Sequence, residues 1–158
     1  MEPIVYREMK PGEEQSVCEL VTDVFHEYVA SDYEQGGIEE FFRYANPDAM
    51  KARMHLAGFV LVAQRAYALV GMLEFSPPNC ISMLFVSLRH QGIATELVKQ
   101  AISKARSSVP ELSKLIVHSS RYAVPIYQKM GFRKTGKATT ENGITYFPME
   151  LLIENEIA

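Results

Sequence analysis

One loop of the sequence combines residue types that can hold a phosphate group. It follows a β-rich apolar run ending at Val86 and precedes a helical pattern beginning near Ile93. The first amides of a helix have no acceptor inside the helix and lie at its positive end, so they can bind an anion. Gly92 permits a sharp turn, small Ala94 permits close approach of a ligand, and Arg89 adds a charge that suits phosphate oxygens. The loop predicts an anion site, although a turn that needs glycine only for its shape would look the same.

Spacing and composition argue against several other kinds of site. The sequence contains no GxGxxG dinucleotide loop and no GxxxxGK[ST] phosphate loop. Its two cysteines, Cys18 and Cys80, form no CxxC pair, and neither has a placed histidine, so we expect neither a metal site nor a cysteine nucleophile. This cysteine usage favours a reducing compartment, and we expect a cytoplasmic protein. The longest apolar stretches fall short of the roughly 20 residues that cross a bilayer, and no signal-peptide pattern is present, so we expect no membrane partner.

Charge is distributed very unevenly along the chain. Residues 1–40 carry eleven acidic side chains against two basic ones, and residues 89–137 carry ten basic side chains against two acidic ones. Two oppositely charged solvated faces would produce this pattern, and so would a domain that joins an anionic ligand to a cationic one. A nucleic-acid-binding protein is usually basic overall with interleaved aromatic residues, whereas the net charge here is −3. We therefore expect no nucleic-acid partner.

Hydrophobic periodicity divides the chain into alternating elements of one domain spanning residues 1–158. Gly36 and Gly37 are expected to break the chain between the first two helices, and Gly131 is expected to cap the last helix. A Glu141-Asn142-Gly143 hairpin signal precedes the last strand. The predicted helices are 13–30, 38–44, 93–107 and 123–130, and the predicted strands are 4–8, 58–64, 67–75, 80–86, 115–118, 132–135 and 145–152.

The segment 80–118 reads as strand, helix, strand, which predicts a right-handed crossover between two parallel strands. Ligands of open α/β sheets bind beyond the carboxyl ends of parallel strands. The site is therefore expected near residues 86–94 and 118–127, both inside the basic part of the chain.

These two regions resemble the sequence motifs of the GNAT family of N-acetyltransferases. The stretch Arg89–Ala94 has the family's acetyl-coenzyme A signature of Arg or Gln, two residues, Gly, one residue, and Gly or Ala. The stretch His118–Phe132, HSSRYAVPIYQKMGF, resembles the later motif, in which a helix with Ala, Tyr and a terminal Gly-Phe follows a splayed strand. The likeness covers residues 58–150 well and the N-terminal helices only loosely.

The resemblance implies a fold and a cofactor site. The fold is mixed α/β, with three α/β/α layers around a mostly antiparallel, splayed sheet of about seven strands and about four helices. Residues 1–57 would supply acceptor-side helices, and residues 58–150 would bind acetyl-coenzyme A. In the family the strand backbone pairs with the pantetheine arm, helix amides hold the pyrophosphate, and an Asn usually stands where this chain has His118. The cofactor residues implied are Leu84, Phe85, Val86, Arg89, Gln91, Gly92, Ile93, Ala94, Thr95, His118 and Tyr127.

The resemblance also assigns the general acid. Direct acyl transfer requires a proton for the departing thiolate, and Tyr127 matches the family's acid tyrosine. A free phenol has a pKa of about 10 and a thiol of about 8.5, so the transfer is only mildly uphill. The other interpretation is packing, because Ala123, Ile126, Tyr127 and Met130 form one apolar stripe of the helix.

The general base and the acceptor region are less sharply defined. We take Glu74 as the base, since it shares a strand face with apolar residues that would favour its neutral acid. His118, His26, Glu27 and a chain of water molecules remain alternatives. The acceptor is expected to contact Phe25, Tyr28 and Glu74 within an acidic, aromatic region spanning residues 25–43, where cation–π contacts would favour an ammonium group. The same aromatics could instead pack the helices onto the sheet.

Two functions follow from these observations. The first is an acetyl-coenzyme A-dependent N-acetyltransferase that forms a ternary complex with a small-molecule or peptide amine. The second is a non-catalytic acyl-coenzyme A-binding sensor or scaffold. Small amines, polyamines, amino-acid derivatives and protein amino groups all remain open as acceptors. A homodimer through the C-terminal hairpin, residues 151–158, is also considered.

Overall fold

A computed structural model describes residues 2–154, which form five α-helices and eight β-strands. The helices are α1 (Glu14–Tyr28), α2 (Gln35–Tyr44), α3 (Pro47–Arg53), α4 (Ile93–Ser108) and α5 (Val124–Lys129), with a 3-10 turn at Ala30–Asp32. The strands are β1 (Ile4–Glu8), β2 (Phe59–Arg65), β3 (Ala68–Ser76), β4 (Cys80–Val86), β5 (Lys114–Ser119), β6 (Arg133–Lys134), β7 (Thr139–Glu141) and β8 (Ile144–Leu152).

The strands form a single open sheet in the order β1-β2-β3-β4-β5-β8-β6, with β7 paired to β8. All neighbours are antiparallel except β4 and β5, which the α4 crossover makes parallel. That pairing is short, because only Cys80 with Ile116 and Ile81 with Val117 are in register. The mixed α/β fold and the splayed, mostly antiparallel sheet are therefore confirmed.

Helices cover both faces of the sheet, which gives three layers. Alternation along β2 shows why, because successive strand side chains point to opposite faces. Val60 and Val62 pack with α1 and α3 in one buried cluster, whereas Leu61 and Ala63 pack with α4 and α5 in another. The central strands β2 and β3 are buried on both faces, and their side chains form the core beside the parallel pair β4 and β5.

Two turn signals have roles other than those expected, and one of them produces a fifth helix where about four were predicted. Gly36 and Gly37 do not break the chain but lie in the first turn of α2. α2 ends before Asn46 and Pro47 as expected, but these two residues also begin α3, a helix that was not predicted. The Asn46 side chain accepts a hydrogen bond from the Ala49 amide at 2.9 Å, and Pro47 occupies the first turn, where its missing N–H costs little.

The hairpin signal preceding the last strand produces an additional strand. β7 pairs with β8 around Asn142 and Gly143, both of which have positive φ, so the sheet has eight strands instead of about seven. The part of the proposed dimer surface at residues 155–158 lies outside the described residues. No helix in the described part of the chain has the length and apolarity needed to cross a bilayer.

Candidate active site

The divergence of β4 from β5 creates a cleft in the middle of the sheet. From Met83 to Val86, β4 pairs only with β3, and His118 and Ser119 of β5 pair only with β8. The main-chain groups on the two facing edges therefore have no strand partner among the described residues. An extended ligand with amide groups can pair with such an edge as an added strand.

A cavity of about 520 Å³ occupies this cleft. It brings together residues that are far apart in the chain, from α1, α2, β4, β5, α5 and the β7–β8 hairpin. Of the residues that we predicted for the site, those lining it are Tyr28, Leu84, Phe85, Val86, Ala94, His118 and Tyr127.

The first turn of α4 presents open amides beside the cavity. Gly92 caps the helix with φ +72°, and a Cβ built on it would meet no atom within 4 Å. Glycine is thus needed for the backbone conformation and not for space. The first helical bond runs from the Glu96 amide to the Gly92 carbonyl, so the amides of residues 93–95 have no acceptor among the described residues. The Ile93 side chain is buried in the core, which leaves its amide as the group it can offer.

Arg89 lies across the mouth of the cleft. Its guanidinium carbon is 4.9 Å from the ring centre of Tyr28 and 5.6 Å from that of Tyr122. The two tyrosine rings, whose centres are 4.8 Å apart, connect α1 to the loop before α5. The charge of Arg89, in the loop that precedes α4, is therefore held over two aromatic rings that line the cavity. Gln91 and Thr95 are exposed and do not line the cavity.

Tyr127 is held at the wall of the cavity by the end of α5. The Phe132 amide donates to the Tyr127 carbonyl, and the Gly131 amide donates to the Gln128 carbonyl, both at 3.0 Å. This pair of bonds around Gly131, with φ +103°, is a Schellman cap, and it confirms the predicted capping role. The Tyr127 ring is only 4% exposed and meets the Phe132 ring edge-on. Burial, together with nearby Cys80, raises the pKa of Tyr127 well above its usual value, so the phenol stays protonated.

His118 lines the cavity from the edge of β5. Its ring stacks on Tyr146 with ring centres 4.1 Å apart and an interplanar angle of 15°. This stacking fixes the plane of the imidazole ring. His118 is at the position at which the family motif described above usually has Asn.

Glu74 is in a different environment from the one expected. Its carboxylate is buried and accepts hydrogen bonds from Arg53 Nε at 2.8 Å and Nη2 at 3.0 Å. The Tyr44 hydroxyl donates to it at 3.0 Å. Glu74 itself does not line the cavity, whereas Tyr44 does. Glu74 is therefore paired with a cation on an otherwise apolar strand face. The prediction differed because Arg53 belongs to α3, a helix that was not predicted.

Phe25 is fully buried and lies outside the cavity lining. Its ring stacks on Phe41 with centres 4.2 Å apart and meets Tyr33 and Phe42 edge-on. Phe25 therefore packs α1 against α2, as the packing interpretation of the aromatic residues predicts. Tyr28, Tyr33 and Phe41 do reach the cavity.

Several lining residues were not singled out in the prediction, although Glu40 and Tyr122 lie within the regions 25–43 and 118–127 that were expected to form the site. Glu40 comes from α2, Glu141, Asn142 and Tyr146 come from the β7–β8 hairpin, and Tyr122 comes from the loop before α5. The local sequence around these residues indicates only a helix, a loop or a turn. Contacts between distant segments, such as the pairing of β8 with β5, bring them to one cavity. The described side chains contain no group of three or more His, Cys, Asp or Glu placed to hold a metal ion.

Solved structures with the same fold include acetyltransferases. A GCN5-related N-acetyltransferase from Rhodopseudomonas palustris superposes with a TM-score of 0.80 at 19% identity, covering 97% of this chain and 98% of that one. The PaiA N-acetyltransferase from Thermoplasma acidophilum, in complex with coenzyme A, superposes with a TM-score of 0.77 at 17% identity, covering 96% and 99%. An aminoglycoside 6′-N-acetyltransferase complexed with coenzyme A gives 0.69 at 14% identity, covering 94% and 96%.

Sequence comparison gives a family. The UPF0039 protein C11D3.02c of Schizosaccharomyces pombe is 30% identical over 63 residues, which are 40% of this chain and 42% of the yeast protein. The family model described as acetyltransferase (GNAT) domain matches residues 29–153, which include the cleft, the α4 loop and Tyr127. The chain belongs to the GNAT family of acetyltransferases.

Proposed function

We propose that this protein transfers the acetyl group of acetyl-coenzyme A to the nitrogen of a primary amine by direct attack in a ternary complex. The observation that carries the proposal is the unpaired edge of β4, which borders a cavity lined by the buried phenol of Tyr127 and flanked by the open amides of α4. In this arrangement, residues 58–150 bind the cofactor, and helices from residues 1–57 line the acceptor end.

The residues present fit coenzyme A. The amides of the first α4 turn, with Arg89 alongside, can bind the pyrophosphate. The free edge of β4 at Leu84, Phe85 and Val86 can pair with the amides of the pantetheine arm. His118 can donate to or accept from the same arm in place of the usual Asn. When bound, acetyl-coenzyme A supplies the acetyl group as an activated thioester.

The reaction forms a C–N bond and breaks the thioester C–S bond, and the departing thiolate then requires a proton. The phenolic oxygen of Tyr127 holds a proton inside the cavity wall, and burial keeps it there at neutral pH. A thiolate in the same buried place is also desolvated, which raises its own affinity for a proton. Transfer from Tyr127 is therefore less uphill than the raised pKa of the phenol alone suggests.

Glu74 is proposed here as a positioning residue instead of the base. It contacts Tyr44 and Arg53 but not the cavity, and Arg53 also stacks 3.5 Å above the Tyr44 ring. The buried pair thus fixes Tyr44 in the acceptor wall. Because the cavity has an open side, water molecules can carry the proton of the incoming amine to solvent.

Thiol release with acetyl-coenzyme A and a panel of amines tests the proposal. We expect at least one amine to release thiol, and Tyr127→Phe to lower kcat by about 10²–10⁴ because a positioned acid is lost. Tyr67→Phe is the matched control, since Tyr67 is fully exposed and outside the cavity. Coenzyme A at about 100 times its Kd should stabilise the fold by roughly 2.7 kcal/mol, which raises Tm by about 5–10 °C in both variants.

The opposite outcome identifies the sensor function. If coenzyme A raises Tm but no amine releases thiol, and Tyr127→Phe behaves like the native protein, the chain binds acyl-coenzyme A without catalysis. If coenzyme A does not change Tm, both functions are wrong.

A further inference from the structure

The acceptor end of the cavity is bounded by elements that meet each other through two glycines. A Cβ built on Gly37, in the first turn of α2, would lie 2.2 Å from the carbonyl oxygen of Gly143 in the β7–β8 hairpin. Only glycine permits this approach of two backbones. α2 supplies Glu40 to the cavity lining, and the hairpin supplies Glu141. The contact between α2 and the hairpin joins these two walls of the cavity. The acceptor therefore enters a cavity that is closed along this side, and not an open groove.

The charged side chains that line this cavity are both carboxylates. Glu40 forms an ion pair with Arg43, which lies outside the lining. Glu141 has no ion pair among the described residues, and its Oε1 accepts a hydrogen bond from the Tyr146 hydroxyl at 3.3 Å. No lysine or arginine in the described part of the chain lines the cavity. A carboxylate on the acceptor would therefore have no cationic partner in this cavity.

The rest of the acceptor wall is apolar or aromatic. Val29, Tyr33 and Phe41 come from the α1–α2 side, and Ile144 and Tyr146 come from the hairpin. Tyrosine and phenylalanine rings attract an ammonium group and also pack against an apolar or aromatic body.

The surrounding charge has the same sign as the cavity carboxylates. Residues 23–40, which carry the end of α1 and most of α2, contain six acidic side chains and no lysine or arginine. Such a region raises the local concentration of cations and lowers that of anions.

Resting on the proposed function, we propose that the acceptor is a compact primary amine with an apolar or aromatic body and no carboxylate, and that Glu141 selects its positive charge. Amino acids are disfavoured because their carboxylate would lie near the negative charge of Glu141, with no lysine or arginine in the cavity lining to pair with it. Lysine side chains of folded proteins are disfavoured because α2 and the hairpin bound the acceptor end.

Three probes differ in the features that matter. 2-Phenylethylamine has the proposed chemistry, phenylalanine adds only a carboxylate, and a peptide with an internal lysine tests a protein acceptor. We expect kcat/KM for 2-phenylethylamine to exceed that of either other probe by at least about tenfold. Calorimetry on the complex with coenzyme A should show the same order of affinities without turnover.

A charge variant separates Glu141 from the general acidic field. Glu141→Gln keeps an oxygen acceptor for Tyr146 but removes the charge, so we expect KM for 2-phenylethylamine to rise about fivefold or more and the discrimination against phenylalanine to shrink. Glu39→Gln makes the same charge change at an exposed position of α2 outside the cavity, and should leave both values unchanged.

A glycine pair tests the contact between the walls. Gly37→Ala forces the hairpin away from α2 and should raise KM for the amine without weakening coenzyme A binding. Gly36→Ala, one residue earlier, meets no atom within 4 Å and is the matched control.

Two results overturn the inference. If phenylalanine or the lysine peptide is the better acceptor, or if Glu141→Gln matches Glu39→Gln, the acceptor class is wrong while the acetyltransferase proposal stands. If every amine fails to release thiol although coenzyme A binds, the acetyltransferase proposal fails and this inference fails with it.

Discussion

Tyr127 shows how position within the fold sets the protonation state of one side chain. Burial raises its pKa, and nearby Cys80, whose own thiol pKa is raised by burial, acts in the same direction. A neutral phenol is the form that can donate a proton. The burial that packs Tyr127 therefore also keeps on its oxygen the proton that the proposed acid role requires. The two interpretations of Tyr127 in the sequence are therefore compatible.

The pH dependence of kcat follows from that raised pKa. The neutral amine is the nucleophile, so the rate should rise with pH. Because the phenol keeps its proton above the usual tyrosine value, no falling limb from Tyr127 is expected below pH ~10. Steady-state rates between pH ~6 and ~10 check this. A falling limb near pH ~8.5 that Tyr127→Phe abolishes would contradict the assignment.

Glu13 links the beginning of α1 to β1 through an ion pair. Arg7 donates to its two carboxylate oxygens at 2.8 and 2.9 Å, and the Lys10 amide donates at 2.7 Å. The hydrogen bonds from Arg7 lower the pKa of Glu13 to about 2, against the opposing effect of burial. A lowered folded-state pKa contributes stability above the unfolded-state value, and this stability is lost as pH falls toward the folded value.

Glu13→Gln should therefore lower the free energy of unfolding at pH 7 by about 1 kcal/mol and flatten the acid limb of stability between pH ~4.5 and ~2. Urea unfolding at several pH values measures both effects. Glu19→Gln on the exposed face of α1 is the control and should preserve the acid limb. An unchanged acid limb in Glu13→Gln would contradict the pair's role.

At the scale of elements, the beginning of α4 couples a backbone conformation to the proposed pyrophosphate site. Gly92 adopts φ +72° with open space around it, and the next three residues offer free amides. The predicted function of this loop depends on that geometry.

Gly92→Val should weaken coenzyme A binding more than tenfold with the fold retained, because a β-branched residue is strained at positive φ and the amides turn away. Isothermal calorimetry and circular dichroism measure the two effects. Gly12→Val is a matched control, since Gly12 has φ +96°, open space around it and no contact with the cavity. Equal affinities of the two variants for coenzyme A would contradict a role of the α4 amides in binding.

At the scale of the whole molecule, the acidic stretch 1–40 and the basic stretch 89–137 both contribute residues to the walls of one cavity. The acidic residues of the first forty include those around the acceptor end, and the basic region from residue 89 to 137 contains the α4 loop. Under the proposed function, the basic stretch would attract the phosphates of the cofactor and the acidic stretch would attract a cationic acceptor.

Coenzyme A binding should therefore weaken with salt. Raising ionic strength from ~0.05 M to ~0.5 M shortens the Debye length and should raise its Kd several-fold. Pantetheine, which lacks the phosphates, is the control and should bind with little salt dependence. Equal salt dependence for the two ligands would contradict a phosphate site at the basic side.

Much of the site followed from local patterns. The bounds of β1 and β4 match those expected, and the α4 helix, the Gly131 cap and the parallel crossover were all anticipated. Periods of two and 3.6 residues and the special conformations of glycine are properties of short segments, so the sequence alone is sufficient to predict them.

The acceptor side depended on contacts between distant residues. Arg53 pairs with Glu74 only because α3 packs beside β3, and Glu141 joins Glu40 only because the hairpin reaches α2. From its sequence alone, this protein could be placed in a family, on the motifs around Gly92 and Tyr127. Only the tertiary structure decided that Glu74 is paired with Arg53 and that Glu40 and Glu141 line the cavity, because such contacts depend on distances that no local pattern encodes.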